Sequence, residues 1–269
     1  MVPRTLIDEK HMKAFVSNEA DFAFEMRTLH ALRGLGFECD HAATYQDPIT
    51  EKIRQYDIRA RKAVSPYHLW LSVECKNIGP ESPLLVHAVP RTDAEAFHQL
   101  IRRPDDSKGL NFPATISVKG FESAYPPQAE VGKQTDQVTV RTDGTFAHSD
   151  SSVFEKISQS VNSARDLVRE AMRDSKGSAL VAVVPVLVLP ENQLWQATYK
   201  PDGAIDHNPT RVTRTTLYLN HPWTIVSFLA FTYRLSHLEI TTSTGLRQLV
   251  EYLLGSRGVF ALGEALYAR

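Results

Sequence analysis

Apolar residues recur at helical spacing in three stretches of the chain. Between residues 18 and 33, Phe22, Met26 and Leu29 repeat every three or four positions, and the glycines that follow end the pattern. A longer amphipathic pattern begins near residue 152 after a capping-box sequence, and a shorter one covers residues 245–254. These three stretches are predicted helices.

Runs of alternating or continuous apolar residues predict strands between and after these helices. The runs at 53–61 and 68–77 flank a short turn at Ser65 and Pro66, which predicts a hairpin. A second hairpin is predicted over residues 137–146, around Asp143 and Gly144. The remaining predicted strands cover residues 37–39, 84–89, 179–189, 193–198, 215–219 and 238–242.

The order of these elements predicts an α/β fold, with a central mixed β-sheet flanked by helices and a β-rich C-terminal part. We predict one domain over residues 1–269, with its core at about 15–200 and a C-terminal extension at about 201–269. Residues 90–134 show little periodicity and are rich in Pro, Gly, Asp and Lys. They are therefore predicted to form loops, as an irregular insertion at about 90–135.

Composition narrows the class of protein. The 30 Lys and Arg residues oppose 31 Asp and Glu residues, so the formal net charge is −1 and no basic field indicates a nucleic-acid partner. Only Cys39 and Cys75 are present, which excludes a disulfide-built secreted scaffold. The N-terminal residues lack the apolar region of a signal peptide, and no apolar run approaches the roughly 20 residues of a membrane span. We expect a cytoplasmic protein without a membrane partner.

Three polar residues on the first predicted hairpin carry the strongest chemical signal. Alternation along residues 68–77 places Glu74 and Lys76 on one face, and Cys75 on the opposite, apolar face. If the two strands pair, Asp57 approaches Glu74 near the strand ends. Two converging carboxylates make a hard-oxygen site that suits Mg²⁺.

The spacing of an acid two residues before a lysine is weak evidence by itself. It occurs four times, and only the copy at Glu74 and Lys76 lies in an alternating apolar strand. On the first helix, Glu25 falls inside the predicted apolar stripe of Phe22, Met26 and Leu29. A carboxylate on a buried face is costly unless it is paired or bound to a metal, so Glu25 is a further candidate.

These residues, in this order, resemble the PD-(D/E)xK, restriction-endonuclease-like nucleases. The resemblance rests on Phe24 and Glu25 on a first helix, the Gly-Leu-Gly-Phe sequence at 34–37, Asp57, and the Val-Glu-Cys-Lys sequence at 73–76. It covers about residues 18–190, most directly 22–77, and the proline that usually precedes the aspartate is replaced by Tyr56. The resemblance implies a restriction-endonuclease-like core.

The resemblance also implies roles for individual residues. Asp57, Glu74 and the main-chain carbonyl of Cys75 would bind Mg²⁺, with Mn²⁺ as a substitute, and Glu25 would reach the metal or its water. Lys76 would orient or help to deprotonate the attacking water. Lys156 on the later helix is a candidate for contact with phosphate or metal-bound water. The candidates for nucleic-acid contact are Arg54, Arg59, Arg61, Lys62, Lys133 and Gln159.

Each residue taken singly also has an ordinary structural explanation. Asp57 can pair with Arg59 or Arg61, and Glu74 with Lys76, as ion pairs on a solvated sheet. The basic run at 52–62 can be a solvated face as readily as a nucleic-acid contact. The histidines show no zinc-binding spacing, and no phosphate-binding P-loop sequence occurs.

The residues and the resemblance together favour a metal-dependent phosphodiesterase. The leading expectation is a DNA endonuclease of a prokaryotic defence or restriction type system, working with an ATPase or recognition subunit as a homo-oligomer or hetero-complex. The alternatives are a non-catalytic assembly or nucleic-acid-binding subunit on the same fold, and an RNase. The shared phosphodiester chemistry leaves DNA and RNA open, with DNA favoured.

Overall fold

The computed structural model describes residues 6–18, 21–47, 50–103, 112–149, 151–173, 179–225 and 231–261. The α-helices in these residues are α1 (Glu9–Asn18), α2 (Asp21–Gly34), α3 (Ser151–Arg173) and α4 (Ser243–Leu254). The strands are β1 (Glu38–His41), β2 (Thr44–Gln46), β3 (Ile53–Gln55), β4 (Ile58–Val64), β5 (Tyr67–Cys75), β6 (Leu84–Pro90), β7 (Phe97–Arg102), β8 (Ala114–Lys119), β9 (Glu130–Val140), β10 (Phe146–Ser149), β11 (Leu180–Leu189), β12 (Leu194–Tyr199), β13 (Ile205–Arg211), β14 (Arg214–Ile225) and β15 (Phe231–Thr242).

Thirteen of the described strands join one mixed β-sheet. Its main path runs in the order β1, β4, β5, β11, β15, β14, β9, β6, β12, β13, and β10 adds to β9. Strand β11 pairs with β7 at its first residues and with β15 at its last ones, and β8 adds to β7. The central pairs β5 with β11 and β11 with β15 are parallel. The predicted α/β class with a mixed sheet is confirmed.

The two predicted hairpins are present. Strands β4 and β5 pair in antiparallel register from Ile58 with Val73 to Val64 with Tyr67, and β9 pairs with β10 around a turn in which Gly144 has a positive φ of 81°. The loop prediction for residues 90–134 is wrong, because β7, β8 and part of β9 lie there. Strand β8 is mostly half-exposed and β7 does not alternate strictly, so neither strand shows the two-residue period that sequence reading requires.

Two apolar layers cover the central strands, one on each face of the sheet. Along β5, Leu69, Leu71, Val73 and Cys75 face the layer that contains α2 and α4. Trp70 faces the other layer, where α3 contributes Val153, Ile157, Val161 and further apolar residues. This division follows the predicted alternation of β5. It places the side chains of Ser72 and Glu74 on the α3 side.

Two serines fix the position of α3 over the sheet. Ser160 Oγ donates to the Ser72 carbonyl at 2.9 Å, and Ser72 Oγ donates to the Ser160 carbonyl at 3.0 Å. Ser160 Oγ also accepts the Val186 N–H at 3.1 Å. Both serines are fully buried. Because Lys156 lies about one turn before Ser160, these bonds set where the Lys156 side chain meets β5.

We expect Ser160→Ala to lower the free energy of unfolding by about 1–3 kcal/mol, since the Val186 N–H then loses its acceptor in a buried setting. Urea denaturation measures this change. The matched control is Ser158→Ala, a half-buried serine on the same helix, for which we expect less than about 0.5 kcal/mol. Equal effects of the two substitutions would show that the serine bonds do not hold α3 in place.

No helix within the described ranges is long and apolar enough to cross a bilayer.

Candidate active site

The carboxylates of Asp57 and Glu74 meet at one end of the β4–β5 hairpin. Asp57 directly precedes β4 and Glu74 is the penultimate residue of β5, and the antiparallel register places both at the same end. Asp57 Oδ2 accepts the Cys75 N–H at 2.8 Å, and the Asp57 N–H lies 3.4 Å from Glu74 Oε1. The predicted approach of the two carboxylates is confirmed.

The ammonium of Lys156 lies between these carboxylates. Its Nζ donates to Asp57 Oδ2 at 2.8 Å, to Asp57 Oδ1 at 3.0 Å and to Glu74 Oε2 at 3.0 Å. The Glu74 side chain is fully buried, and the side chains of Asp57 and Lys156 are 12% and 17% exposed. Two acids and one cation are thus enclosed between the sheet and α3.

Burial and mutual charge shift the protonation of this group. Burial raises the pKa of Glu74, and the charge of Asp57 raises it further, while the Lys156 ammonium opposes both effects. Burial by itself would lower the pKa of Lys156, but the charges of Glu74 and Asp57 raise it overall. Lys156 is therefore held in its charged form by the pair of acids.

Glu25 reaches the same region from α2. Its Oε2 lies 3.3 Å from His41 Nε2. Burial raises the pKa of Glu25, and the negative charge of Asp57 acts in the same direction. Asp57 therefore influences the protonation of Glu25 without a direct contact between the two side chains among those described.

The buried face of α2 differs from the predicted stripe. Its buried residues are Phe24, Thr28, Leu29 and Leu32, whereas the predicted members Phe22 and Met26 are 62% and 40% exposed. At 100° per residue, Glu25 still falls within the arc from Phe24 to Leu29. The prediction of a carboxylate on the buried side of α2 is retained, although the centre of the stripe was wrong.

Lys76 does not follow Glu74 toward α3. Strand β5 ends at Cys75, and the Lys76 N–H donates to the Val188 carbonyl at 3.0 Å. The Lys76 ammonium lies 3.6 Å from Asp21 Oδ2 on α2, and the other Asp21 oxygen accepts the Asn77 N–H at 2.8 Å. The prediction that Lys76 shares a face with Glu74 is wrong, and so is the alternative of an ion pair between them, because the alternation stops where β5 ends and Lys76 pairs with Asp21.

Two arginines that were predicted to contact nucleic acid bind partners within the protein instead. Arg59 is 5% exposed, donates to Asp166 Oδ2 at 2.8 Å and to Ser163 Oγ at 3.1 Å, and lies over the ring of Tyr56. Arg61 pairs with Asp40 and Glu170. These guanidiniums hold β4 against α3. The prediction that Arg59 contacts nucleic acid is corrected, because its head group is buried among protein partners.

The other predicted contact residues are more accessible. Arg54 Nε lies 2.9 Å from Asp47, the Lys62 ammonium donates to the Leu35 carbonyl at 2.6 Å, and Lys133 pairs with Glu95. Gln159 is half-exposed on α3, one turn from Lys156. Its amide lies 3.5 Å from Glu155.

Sequence reasoning assigned Lys156 a minor role and overlooked its contacts with both acids. The available signal was its place on α3, on the flank of the apolar stripe formed by Val153, Ile157 and Val161. A lysine in that position must be paired if the stripe is buried. Only the docking of α3 on β5 identifies the partners.

Asp57 and Glu74 offer carboxylate oxygens, which are hard ligands, and the described residues contain no group of three or more His, Cys, Asp or Glu side chains arranged to hold a metal ion.

The Cys75 side chain is fully buried in the apolar layer, and burial raises the pKa of its thiol. Cys75 is thus a packed strand residue, as predicted.

No family model matches the chain, and the searches of the curated proteins and of the solved structures returned no match.

Proposed function

We propose that this chain hydrolyses phosphodiester bonds in a metal-dependent reaction, as a DNA endonuclease of a prokaryotic defence or restriction type system. One observation carries the proposal: Asp57 and Glu74 converge at the end of a buried hairpin and share one cation, the Lys156 ammonium. Two buried carboxylates facing each other are costly, and such groups are concentrated at functional sites.

The donor set fits a magnesium ion. Mg²⁺ prefers carboxylate oxygens, and the space between Asp57 and Glu74 already accommodates a positive charge at 2.8–3.0 Å from both. Glu25 lies outside this pair, and the negative charge of Asp57 contributes to raising its pKa. When bound, Mg²⁺ supplies Lewis-acid stabilisation of the charge that develops on phosphate.

Two lysines of this chain are the candidates for contact with the phosphate and the attacking water. Lys156 would contact a phosphate oxygen, where its charge would oppose the negative charge of the transition state. Lys76, to which the resemblance assigns the orientation of water, lies at the end of β5 and pairs with Asp21 at 3.6 Å. To orient water at the carboxylate pair, its ammonium would have to leave Asp21.

The order of elements around the site supports a restriction-endonuclease-like core. Helix α2 precedes β1, the strand after Asp57 and the strand of Glu74, and α3 and β11 follow later in the chain, with β5 and β11 parallel. These elements stand in the order that the sequence resemblance implies for residues 18–190, with β2, β3 and β6–β10 as additional strands between them. Work with an ATPase or recognition subunit follows from the same resemblance, and the near-zero net charge favours recruitment by a partner or by self-association.

The test is digestion of duplex DNA, single-stranded DNA and RNA by the purified chain, with Mg²⁺, with Mn²⁺ and with chelator. We expect cleavage of DNA that requires the metal. Metal-dependent cleavage restricted to RNA would make the chain an RNase. If the chain cleaves no substrate, alone or with a recruiting subunit, the proposed activity is wrong.

A non-catalytic assembly or nucleic-acid-binding subunit is the second candidate. The tight pairing of Lys156 with both carboxylates favours it, because a salt-bridge triad of this kind can be purely structural. Titration with Mg²⁺ separates the two candidates. Binding that disappears in Asp57→Ala supports the metal site, whereas absence of binding in the unmodified chain favours the structural triad.

A further inference from the structure

A groove of about 480 Å³ lies beside α3, away from the carboxylate pair. Arg165, which lines it, is nine residues after Lys156, about 2.5 helical turns, so the two side chains leave α3 in opposite directions. Ile157 and Val161 of α3 form an apolar wall together with Leu217 of β14. The volume is that of small-molecule sites in proteins.

Arg165 is a buried cation without a carboxylate in direct contact among the described residues. It is 7% exposed, and its Nη1 donates to Asn162 Oδ1 at 3.2 Å. Its Nε is buried without an acceptor. The negative charge of Asp47 affects the pKa of Arg165 without a direct contact. The Asp47 carboxylate accepts hydrogen bonds from Asn162 Nδ2 at 3.1 Å and from the Thr50 N–H at 2.9 Å.

The contacts of Arg165 within the protein make its burial energetically costly. A guanidinium carries five N–H donors and cannot lose its charge by deprotonation in water. Its one hydrogen bond is to an amide oxygen, and its buried Nε has no acceptor, so burial leaves part of its charge uncompensated. Burial lowers the pKa of Arg165, which reflects the same cost. An anion in the groove would supply the missing acceptors.

Aromatic rings flank the same groove. Phe154 of α3 is 61% exposed, and Tyr218 of β14 also lines the groove. The Lys133 ammonium lies 4.7 Å from the centroid of the Tyr218 ring, but Lys133 is already paired with Glu95. Arg165 is thus the cation left for a ligand, and the aromatic side chains of the lining supply apolar contact area for a flat group.

We propose that this groove binds a small anion that carries a flat ring, the chemistry of a nucleoside monophosphate. Arg165 takes the phosphate, and Phe154 and Tyr218 contact the base. The groove and the carboxylate pair share α3 but no lining side chain, so the inference does not depend on the proposed nuclease activity. A nucleoside monophosphate group is present both in a free nucleotide and at the end of a nucleic-acid strand.

The experiment is calorimetric titration of the intact chain, in chelator, with each of the four nucleoside monophosphates, the matching nucleosides and inorganic phosphate. We expect at least one nucleotide to bind at least tenfold more tightly than its nucleoside and than phosphate. Arg165→Met should weaken that binding at least tenfold. Arg173→Met is the matched control, since Arg173 is exposed at the end of the same helix, and it should bind as the unmodified chain does.

A second measurement separates a ligand-binding arginine from a structural one. If Arg165 binds an anionic ligand in the groove, Arg165→Met should raise the thermal midpoint of the chain without ligand, because the substitution removes a buried charge that the fold does not fully compensate. A lowered midpoint would indicate that Arg165 supports the fold, and the inference would then be wrong. Phe154→Ala, at an exposed position, should weaken nucleotide binding without changing that of phosphate.

Three further results of the binding experiments test the inference or identify the ligand. No binding of any nucleotide, or equal binding of nucleotide and phosphate, overturns the inference. Retained nucleotide binding in Glu74→Gln shows that the groove operates whether or not the carboxylate site is catalytic. A 5′-phosphorylated trinucleotide that binds more tightly than the mononucleotide assigns the ligand to a strand end, and the reverse order assigns it to a free nucleotide.

Discussion

Glu74→Gln is expected to reduce metal-dependent cleavage by at least about 100-fold, because it removes one of two anionic metal ligands at the proposed site. The amide keeps the size of the buried carboxyl group. Asp57 remains as the partner of Lys156, through contacts of 2.8 and 3.0 Å. The chain should therefore stay folded while its affinity for Mg²⁺ falls. Initial cleavage rates over a range of Mg²⁺ concentrations measure the effect.

The matched control for this substitution is Glu251→Gln, on the exposed side of α4, which should cleave at the rate of the unmodified chain. Circular dichroism and thermal unfolding establish that both variants are folded. Equal rates for Glu74→Gln and the unmodified chain would remove Glu74 from the catalytic machinery. A loss of activity that disappears at high Mg²⁺ would instead identify Glu74 as a ligand that sets affinity only.

Lys156→Met is expected to lower the free energy of unfolding by about 3–5 kcal/mol in the absence of divalent cations, since it leaves two buried carboxylates without a counter-charge. Urea denaturation in chelator measures this loss. Adding Mg²⁺ should restore more stability to the variant than to the unmodified chain, because ammonium and metal compete for the oxygens of Asp57 and Glu74.

Lys119→Met is the control, because Lys119 is an exposed lysine on β8, and its effect should stay within about 0.5 kcal/mol. If Lys156→Met is as stable as the control, the triad contributes nothing to the fold. If Mg²⁺ stabilises Lys156→Met and the unmodified chain equally, the metal does not bind between these carboxylates. Only the second result contradicts the proposed metal chemistry; the first contradicts the stabilising role of Lys156.

Much of the central fold could be predicted from local pattern. Strand β5 alternates so regularly that its two faces, and the hairpin with β4, follow from the sequence alone. The apolar stripe of α3 likewise predicts a buried helix face. The convergence of Asp57 and Glu74 could be predicted because both residues belong to one hairpin, and register within a hairpin is a local property.

Other features of the fold and of the site could not be predicted, because they depend on contacts between segments that are distant in the sequence. Strands β7 and β8 owe their place to pairing with each other and with β11, which no local periodicity reveals. Lys156 meets Asp57 across 99 residues of sequence, and Arg59 meets Asp166 across 107. The basic run at 52–62 looked like a surface feature because its acidic partners on α3 are so far away in the chain.

The same separation in sequence has a consequence during synthesis. Glu74 leaves the ribosome 82 residues before the lysine that neutralises it, a delay of roughly 4–16 s at 5–20 residues per second. The hairpin can form in that time, but its carboxylates cannot be enclosed without a counter-charge. We expect the nascent hairpin to keep this end hydrated until α3 emerges, so that the arrival of Lys156 sets the moment at which the two acids are sealed from water.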